Sequence, residues 1–180
     1  AVYGNKIQKT NNIGSESPNN VYGYSKYSMD SISKELNFRT AKGNKITGLR
    51  FFNVYGPRLN ISGRYSAVIG NFLSQTKNNK PLTIVGNGKQ TRDFIHVDDL
   101  VNAFIKIIKS RHVNKIYNLG SGRRISINTI ARIFNGKKKF IPIRPGEPKD
   151  SLANISKLKK DINWNPKISI ESGIKQLLSN

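Results

Sequence analysis

Cysteine is absent from this sequence, and histidine occurs only twice. The first absence excludes a disulfide framework and thiolate chemistry; the second leaves little for a metal centre. Acidic side chains are scarce as well, ten against thirty-one lysines and arginines, for a formal charge of +21. No apolar run approaches the length of a membrane span and no signal peptide is visible, so no membrane partner is expected and the cytoplasm is the default location. The chain opens at Ala1, without Met, on what reads as the end of a strand, and a fragment or processed product is expected. Its 180 residues can bury one good core, or one domain with a smaller lobe.

The charge excess invites a nucleic-acid hypothesis. Lysine and asparagine are abundant everywhere, including exposed helix positions, as compositional drift produces. The densest run, Gly136-Lys137-Lys138-Lys139, is short and lacks interleaved aromatics. No specific nucleic-acid partner is expected, only weak attraction for anionic ligands.

What is there is a chain of strands alternating with helices. After the strand end at residues 1–4, a polar loop over 5–20 leads to a helix over Tyr22–Ala41, with Met29, Ile32, Leu36 and Phe38 as its apolar side and Gly43 as its stop. Residues 46–55 read as one buried parallel strand, apolar on both faces, broken by Gly56-Pro57-Arg58. A helix over 66–77, strands over 81–85 and 93–97, and a helix over 100–110 capped by Asp98 follow. Then come a strand over 115–119 closed by Gly120-Ser121-Gly122, a helix from the Ser126 cap to Phe134, a strand over 140–144, and helices over 156–162, capped by Asn154, and 169–178. The class is α/β with a largely parallel sheet. Elements shorten after about residue 125, which suggests a second lobe built from about 58–90 and 125–180.

The stretch that organises the rest is Tyr22-Gly23-Tyr24-Ser25-Lys26. Positions four apart on a helix lie on one face, so Lys26 sits beside the Tyr22 phenol. A nearby positive charge favours phenolate, and the phenol pKa is expected to fall from about 10 toward neutrality. A phenolate poised there is a usable general base. With seven tyrosines among so many lysines, about one such pair arises by chance. The surrounding stretches therefore decide. Asp93, His96, Asp98 and Asp99 do not read as a metal site, since strand and cap roles account for them, and no metal is expected.

Seven stretches in order resemble one family. They are Ala1-Val2-Tyr3-Gly4, the Tyr22–Lys26 segment, Leu49 through Arg58, Tyr65-Ser66-Ala67-Val68-Ile69, Gln90 through Leu100, Tyr117 through Gly122, and Arg144-Pro145-Gly146-Glu147. The chain resembles extended short-chain dehydrogenases/reductases of the NAD-dependent epimerase/dehydratase family, most closely the UDP-glucose 4-epimerase type. The resemblance implies the C-terminal part of a Rossmann-like doubly wound parallel sheet with a smaller α/β substrate-binding lobe. Residues 1–57 and 91–124 would be what remains of the NAD-binding domain, and 58–90 and 125–180 the nucleotide-sugar lobe. The family's Gly-x-x-Gly-x-x-Gly turn, which holds the cofactor pyrophosphate, does not occur here, and its catalytic Ser or Thr would lie before Ala1. This polypeptide alone is expected to bind NAD poorly.

The resemblance also assigns roles. Tyr22 would be the base that takes the sugar 4-hydroxyl proton, and Lys26 would hold the nicotinamide ribose and lower the Tyr22 pKa. Backbone near Phe51 would face the nicotinamide. Asn53 would meet the diphosphate, and Arg92 and Arg144 would fork onto its oxygens. Glu147 would accept from ribose hydroxyls, and Ala67, Val68, Thr83 and Val85 would wall the uracil and ribose. Each has a plain alternative: packed aromatic, solvated charge, strand-end Asn or core residue. Related dehydratases and decarboxylases carry Glu where Ala1 stands, which argues for plain epimerisation, and UDP-glucuronate epimerases commonly carry Thr at the Asn53 position. The expected partner is a UDP-sugar, the expected assembly a homodimer through the Tyr22–Ala41 helix. The alternatives are a 4,6-dehydratase of the same family and a non-catalytic nucleotide-sugar or partner-binding relative.

Overall fold

The computed structural model describes residues 2–4, 13–39, 46–61, 67–111, 115–143 and 150–179. Ala1, Gly43, Arg144, Glu147 and the Phe38 side chain lie outside the described residues. The elements run α1 (Val21–Arg39), β1 (Gly48–Phe51), β2 (Asn53–Tyr55), α2 (Val68–Lys77), β3 (Leu82–Val85), β4 (Thr91–Arg92), β5 (Phe94–His96), α3 (Val97–Lys109), β6 (Ile116–Leu119), β7 (Ile125–Ser126), α4 (Ile127–Phe134), β8 (Lys138–Ile141), α5 (Ser156–Ile162) and α6 (Ile170–Ser179). The α/β alternation is the one the sequence predicts. Three of the four strand pairs are parallel: β1 with β6, β2 with β5 and β3 with β8; β4 and β7 pair antiparallel.

The single strand expected over 46–55 is two. Gly48 to Phe51 run opposite Ile116 to Leu119, whereas Asn53 to Tyr55 run opposite Phe94 to His96. The handover falls at Phe52, whose N–H still donates to Leu119 O at 3.1 Å, while the next N–H, that of Asn53, donates to Asp93 O at 3.0 Å. Successive N–H groups of a strand point to opposite edges. One extended segment therefore joins two parallel neighbours.

The strand expected over 140–144 is also shifted. It forms at Lys138–Ile141, because Leu82 registers against Lys138 and Leu82 N–H donates to Lys137 O at 2.7 Å. Part of the basic run is thus a strand with exposed lysines, not a loop. The cap of α3 is likewise not Asp98. His96, the last residue of β5, is extended at φ −69° and ψ 142°, and its Nδ1 accepts from Asp98 N–H at 3.3 Å. Asp98 sits instead in the first turn, where a carboxylate favours the helix dipole. The Ser126 cap forms as expected, its Oγ accepting from Thr129 N–H at 3.1 Å.

Two apolar cores result. One joins Tyr55, Phe72, Leu82, Ile84, Phe94, Ile130, Phe134 and Ile174, from α2, α4, α6 and the strands between them. The other joins Ile95, Ala103, Ile107, Tyr117, Leu119, Leu158 and Trp164, where α3 and α5 cover β5 and β6. The cores meet along β2 and β5, since Tyr55 and Phe94 belong to the first and Ile95 to the second.

Two buried carboxylates stitch the connections. Asp99 accepts from Lys167 N–H at 3.0 Å and Ile168 N–H at 2.9 Å, pinning the approach to α6. Asp93, fully buried, accepts from Ser121 N–H at 2.6 Å, Ser121 Oγ at 2.8 Å, Gly122 N–H at 2.9 Å and Ala153 N–H at 3.1 Å. Consecutive N–H groups of such a turn make an anion-binding concavity. Here the anion is the protein's own. A Cβ at Gly120 would lie 2.9 Å from Asp93 Oδ2, and Gly122 has φ +70°, so both glycines are required by the close approach and the turn. Burial pushes the Asp93 carboxyl up, and the four donors oppose that shift.

Asp93→Ala should therefore lower unfolding stability by roughly 3 kcal/mol, since it strands several buried donors at once. Urea denaturation measures this; an unchanged midpoint would show that the donors find other partners.

Candidate active site

Helix α1 starts where Asn20 caps it, its Oδ1 accepting from Gly23 N–H at 2.8 Å. The first turn presents Tyr22, 65 % exposed, and Lys26 lies one turn further along the same face. The Lys26 Nζ stands 5.4 Å from the centroid of the Tyr22 ring, a cation–π distance, and 3.7 Å from Met29 Sδ. The pair forms as helical spacing predicts, with the ammonium resting on the ring.

Tyr22 and Lys26 open onto a cleft of about 530 Å³, also lined by Val2, Tyr3, Met29, Asp30, Arg50, Phe51, Asn53, Arg92 and Ser151. The β1–β2 handover builds its floor. Phe51, at the end of β1, is half exposed with its ring 5.7 Å from that of Phe104. Asn53, at the start of β2, donates from Nδ2 to Asp93 O at 3.0 Å, which fixes the amide beside the cleft. Arg92 enters from β4, half-buried, with one guanidinium N–H donating to Thr91 O at 2.9 Å. Ser151 is brought alongside by Asp150, which accepts from the Thr91 hydroxyl and N–H, while Ser151 N–H donates to Thr91 O at 3.1 Å.

Five of the residues singled out from the sequence therefore converge: Tyr22, Lys26, Phe51, Asn53 and Arg92. Four others stand elsewhere. Ala67 is the exposed N-cap of α2, and Val68 packs against the first core. Thr83 is engaged by Gln75: its N–H donates to Oε1 at 3.0 Å and its Oγ1 accepts from Nε2 at 2.8 Å. Val85 ends β3, its carbonyl accepting from Gln90 Nε2 at 2.8 Å. Arg144 and Glu147 fall outside the described residues.

Sequence reasoning missed a cluster behind the cleft. The Arg50 guanidinium lies 2.5 Å from Glu16 Oε1 and 2.8 Å from Asp30 Oδ2, and donates to the Tyr3 hydroxyl at 2.8 Å. Tyr3 in turn donates to Asn118 Oδ1 at 2.5 Å. Burial works against the Arg50 charge, but Tyr3, Glu16 and Asp30 outweigh it and hold the proton more tightly. Burial also opposes ionisation of Glu16; the N–H groups of Gly14 and Glu16 and the Arg50 guanidinium overcome it and bring its carboxyl below the usual range. One signal was available: Asp30 continues the Tyr22, Lys26 line by another four residues. Nothing local marks Tyr3, Glu16 or Asn118, since they meet only in the fold.

Asp93, His96, Asp98 and Asp99 are occupied as the fold requires. Asp93 and Asp99 take backbone N–H groups, and His96 caps α3.

Residues 1–120 match the model of the NAD dependent epimerase/dehydratase family. The chain belongs to that family. It is similar to UDP-glucuronic acid decarboxylase 1 of Arabidopsis thaliana, 30% identical over 191 residues that take in 99% of this chain and 42% of that protein. The structure of UDP-glucose 4-epimerase from Thermotoga maritima with UDP-glucose superposes with a TM-score of 0.90 at 28% identity, over 99% of this chain and 59% of that one. The UDP-glucuronic acid 4-epimerase of Bacillus cereus, in complex with UDP-glucuronic acid and NAD, gives 0.88 at 28% identity, over 99% and 57%. The chain spans about half the length of the relatives it matches. No helix among the described residues is long and apolar enough to cross a membrane.

Proposed function

We propose that this chain carries the catalytic helix and the nucleotide-sugar lobe of an NAD-dependent nucleotide-sugar 4-epimerase, acting on a UDP-hexose or UDP-N-acetylhexosamine. The observation that carries the reading is the cleft, in which Tyr22, Lys26, Phe51, Asn53 and Arg92 meet although they span seventy residues of sequence. The epimerase-type neighbours at TM-scores of 0.90 and 0.88 support it. Residues 1–57 and 91–124 form the cofactor side in this reading, and 58–90 and 125–180 the sugar-nucleotide side.

The cleft suits the nicotinamide end of NAD. Lys26 is a half-buried donor for ribose hydroxyls, and the exposed ring of Phe51 offers an apolar face for a flat base. The pyrophosphate finds no glycine turn among the described residues; the N–H groups of Ser121 and Gly122 are already taken by Asp93. Bound NAD would supply a reversible hydride acceptor at the sugar carbon. The chain's own groups do the rest. The Tyr22 oxygen takes the 4-hydroxyl proton and later returns it. Lys26 keeps positive charge beside that phenol. Arg92 and Arg144 fork onto the diphosphate, Asn53 contacts it, and Glu147 accepts from the ribose hydroxyls. Ala67, Val68, Thr83 and Val85 wall the nucleoside where the lobe closes over the cleft.

A second reading, decarboxylation or dehydration of the ketosugar, is favoured by the Arabidopsis decarboxylase that aligns with nearly the whole chain. Dehydration needs one more acid/base group, and Ala1 supplies none.

In a chain completed with its N-terminal segment and loaded with NAD, Tyr22→Phe should lower kcat by orders of magnitude with little change in substrate affinity. Wild-type turnover by that variant would remove Tyr22 from the chemistry. Arg92→Ala and Arg144→Ala should each weaken UDP binding well over tenfold, since a shielded Arg–phosphate contact is worth about 2–5 kcal/mol. Lys137→Ala and Lys138→Ala should change it little. Calorimetry at physiological salt separates the cases, and equal losses in all four would reduce the chain to a polycation for this ligand. The exposed Met29, Ile32 and Leu36 of α1 are read as the face that meets a second copy. Light scattering at micromolar concentration should give a dimer; a monomer counts against that face.

A further inference from the structure

The helix that carries Tyr22 and Lys26 is thinly packed. Of the described side chains of α1, only Gly23 is buried, while Met29, Ile32 and Leu36 are exposed. Among its described side chains, apolar packing, which usually fixes a helix in place, does little to hold this one against β1. Asp30 is a polar tie that reaches from α1 to the sheet. Its Oδ2 receives Arg50 Nε at 2.9 Å and a second guanidinium nitrogen at 2.8 Å. Arg50 also holds Glu16, which stands before the helix, and Tyr3, which is locked to Asn118 of β6. The Arg50 side chain is 8 % exposed, with Glu16 at 12 % and Asp30 at 15 %. Buried charges at such distances are strongly coupled and tolerate little displacement.

We propose that Arg50 is the positioning residue of this site: it fixes α1 against β1 and β6 and so sets where Tyr22 and Lys26 stand over Phe51 and Asn53. Arg50 faces the cleft, as Arg92 does, but one feature separates it from a phosphate ligand. Its single positive charge is matched by two carboxylates within 2.8 Å, so the cluster offers an incoming diphosphate no net attraction. A rigid planar fork is also what three separate acceptors in different directions demand, and an ammonium cannot replace it. Asp30 is the corresponding receiver on α1, placed two helical turns beyond Tyr22 on the same line.

The proposal rests on the reading of Tyr22 as the base, and its test reads Tyr22 directly. The seven tyrosines are labelled with 3-fluorotyrosine, and the Tyr22 resonance is assigned from Tyr22→Phe. Arg50→Met and Asp30→Asn should both shift or broaden the Tyr22 signal and leave Tyr55, buried in the other core, unmoved. Arg50→Lys, which keeps the charge and loses the fork, should shift it as well. In calorimetry, Arg50→Met should cost UDP affinity less than Arg92→Ala, which loses well over tenfold. Loss of the Tyr55 signal in Arg50→Met would mean unfolding, and Asp30→Asn then decides. An unmoved Tyr22 signal in Asp30→Asn with Tyr55 intact overturns the proposal. So does a UDP loss in folded Arg50→Met equal to that of Arg92→Ala, which would make Arg50 an anion ligand. Failure of the wild type to bind UDP strikes the functional reading instead, and the fluorine signals still judge the clamp.

Discussion

Residues 48–55 form one extended segment whose two halves pair with two different parallel neighbours, β6 and then β5. The rest of the molecule hangs on that division. β6 holds the first half and β5 the second, so the segment joins the two apolar cores and ends one run of side chains as it starts another. The cleft opens at the junction, where Phe51 and Asn53 flank Phe52 and the pairing passes from β6 to β5. Ligands gather at such points in parallel sheets, where adjacent strands part and leave a crevice beyond their carboxyl ends.

Carboxylates are the scarce resource of this chain, and the fold spends them on structure. Asp93 fills a concavity of N–H groups that would otherwise suit a phosphate, Asp99 pins the entry to α6, and Glu16 and Asp30 neutralise Arg50. Each places negative charge where several donors or a guanidinium converge, which is what makes a buried carboxylate tolerable. The formal charge of +21 therefore describes the surface more than the interior. Near the cleft, charge is balanced at Arg50 and supplied by Lys26 and Arg92.

Much of this is legible in the sequence. The alternation of apolar runs with capped, amphipathic stretches gives the α/β order, and the Tyr22, Lys26 spacing gives a shared helical face. Both depend on local periodicity, which a linear sequence states outright. Local rules misplaced the α3 cap, since Asp98 is the better intrinsic capping residue and His96 wins because β5 leaves its backbone extended at the right point. They also misplaced β8, whose start is fixed by register against β3 and not by its own apolar content. Of the residues singled out from the sequence, Tyr22, Lys26, Phe51, Asn53 and Arg92 line one cleft, while Thr83 and Val85 stand apart from it, hydrogen-bonded to Gln75 and Gln90.

By itself, the sequence determined the family, the order of elements and the helical pairing of Tyr22 with Lys26, because short-range geometry and seven ordered motifs suffice for those. Tertiary structure alone decided which residues became neighbours across long separations: Tyr3 with Asn118, Arg50 with Glu16 and Asp30, Asp93 with Ser121 and Ala153. Such contacts leave no periodic trace, because a hydrogen bond or an ion pair depends on distance in space and is indifferent to distance along the chain.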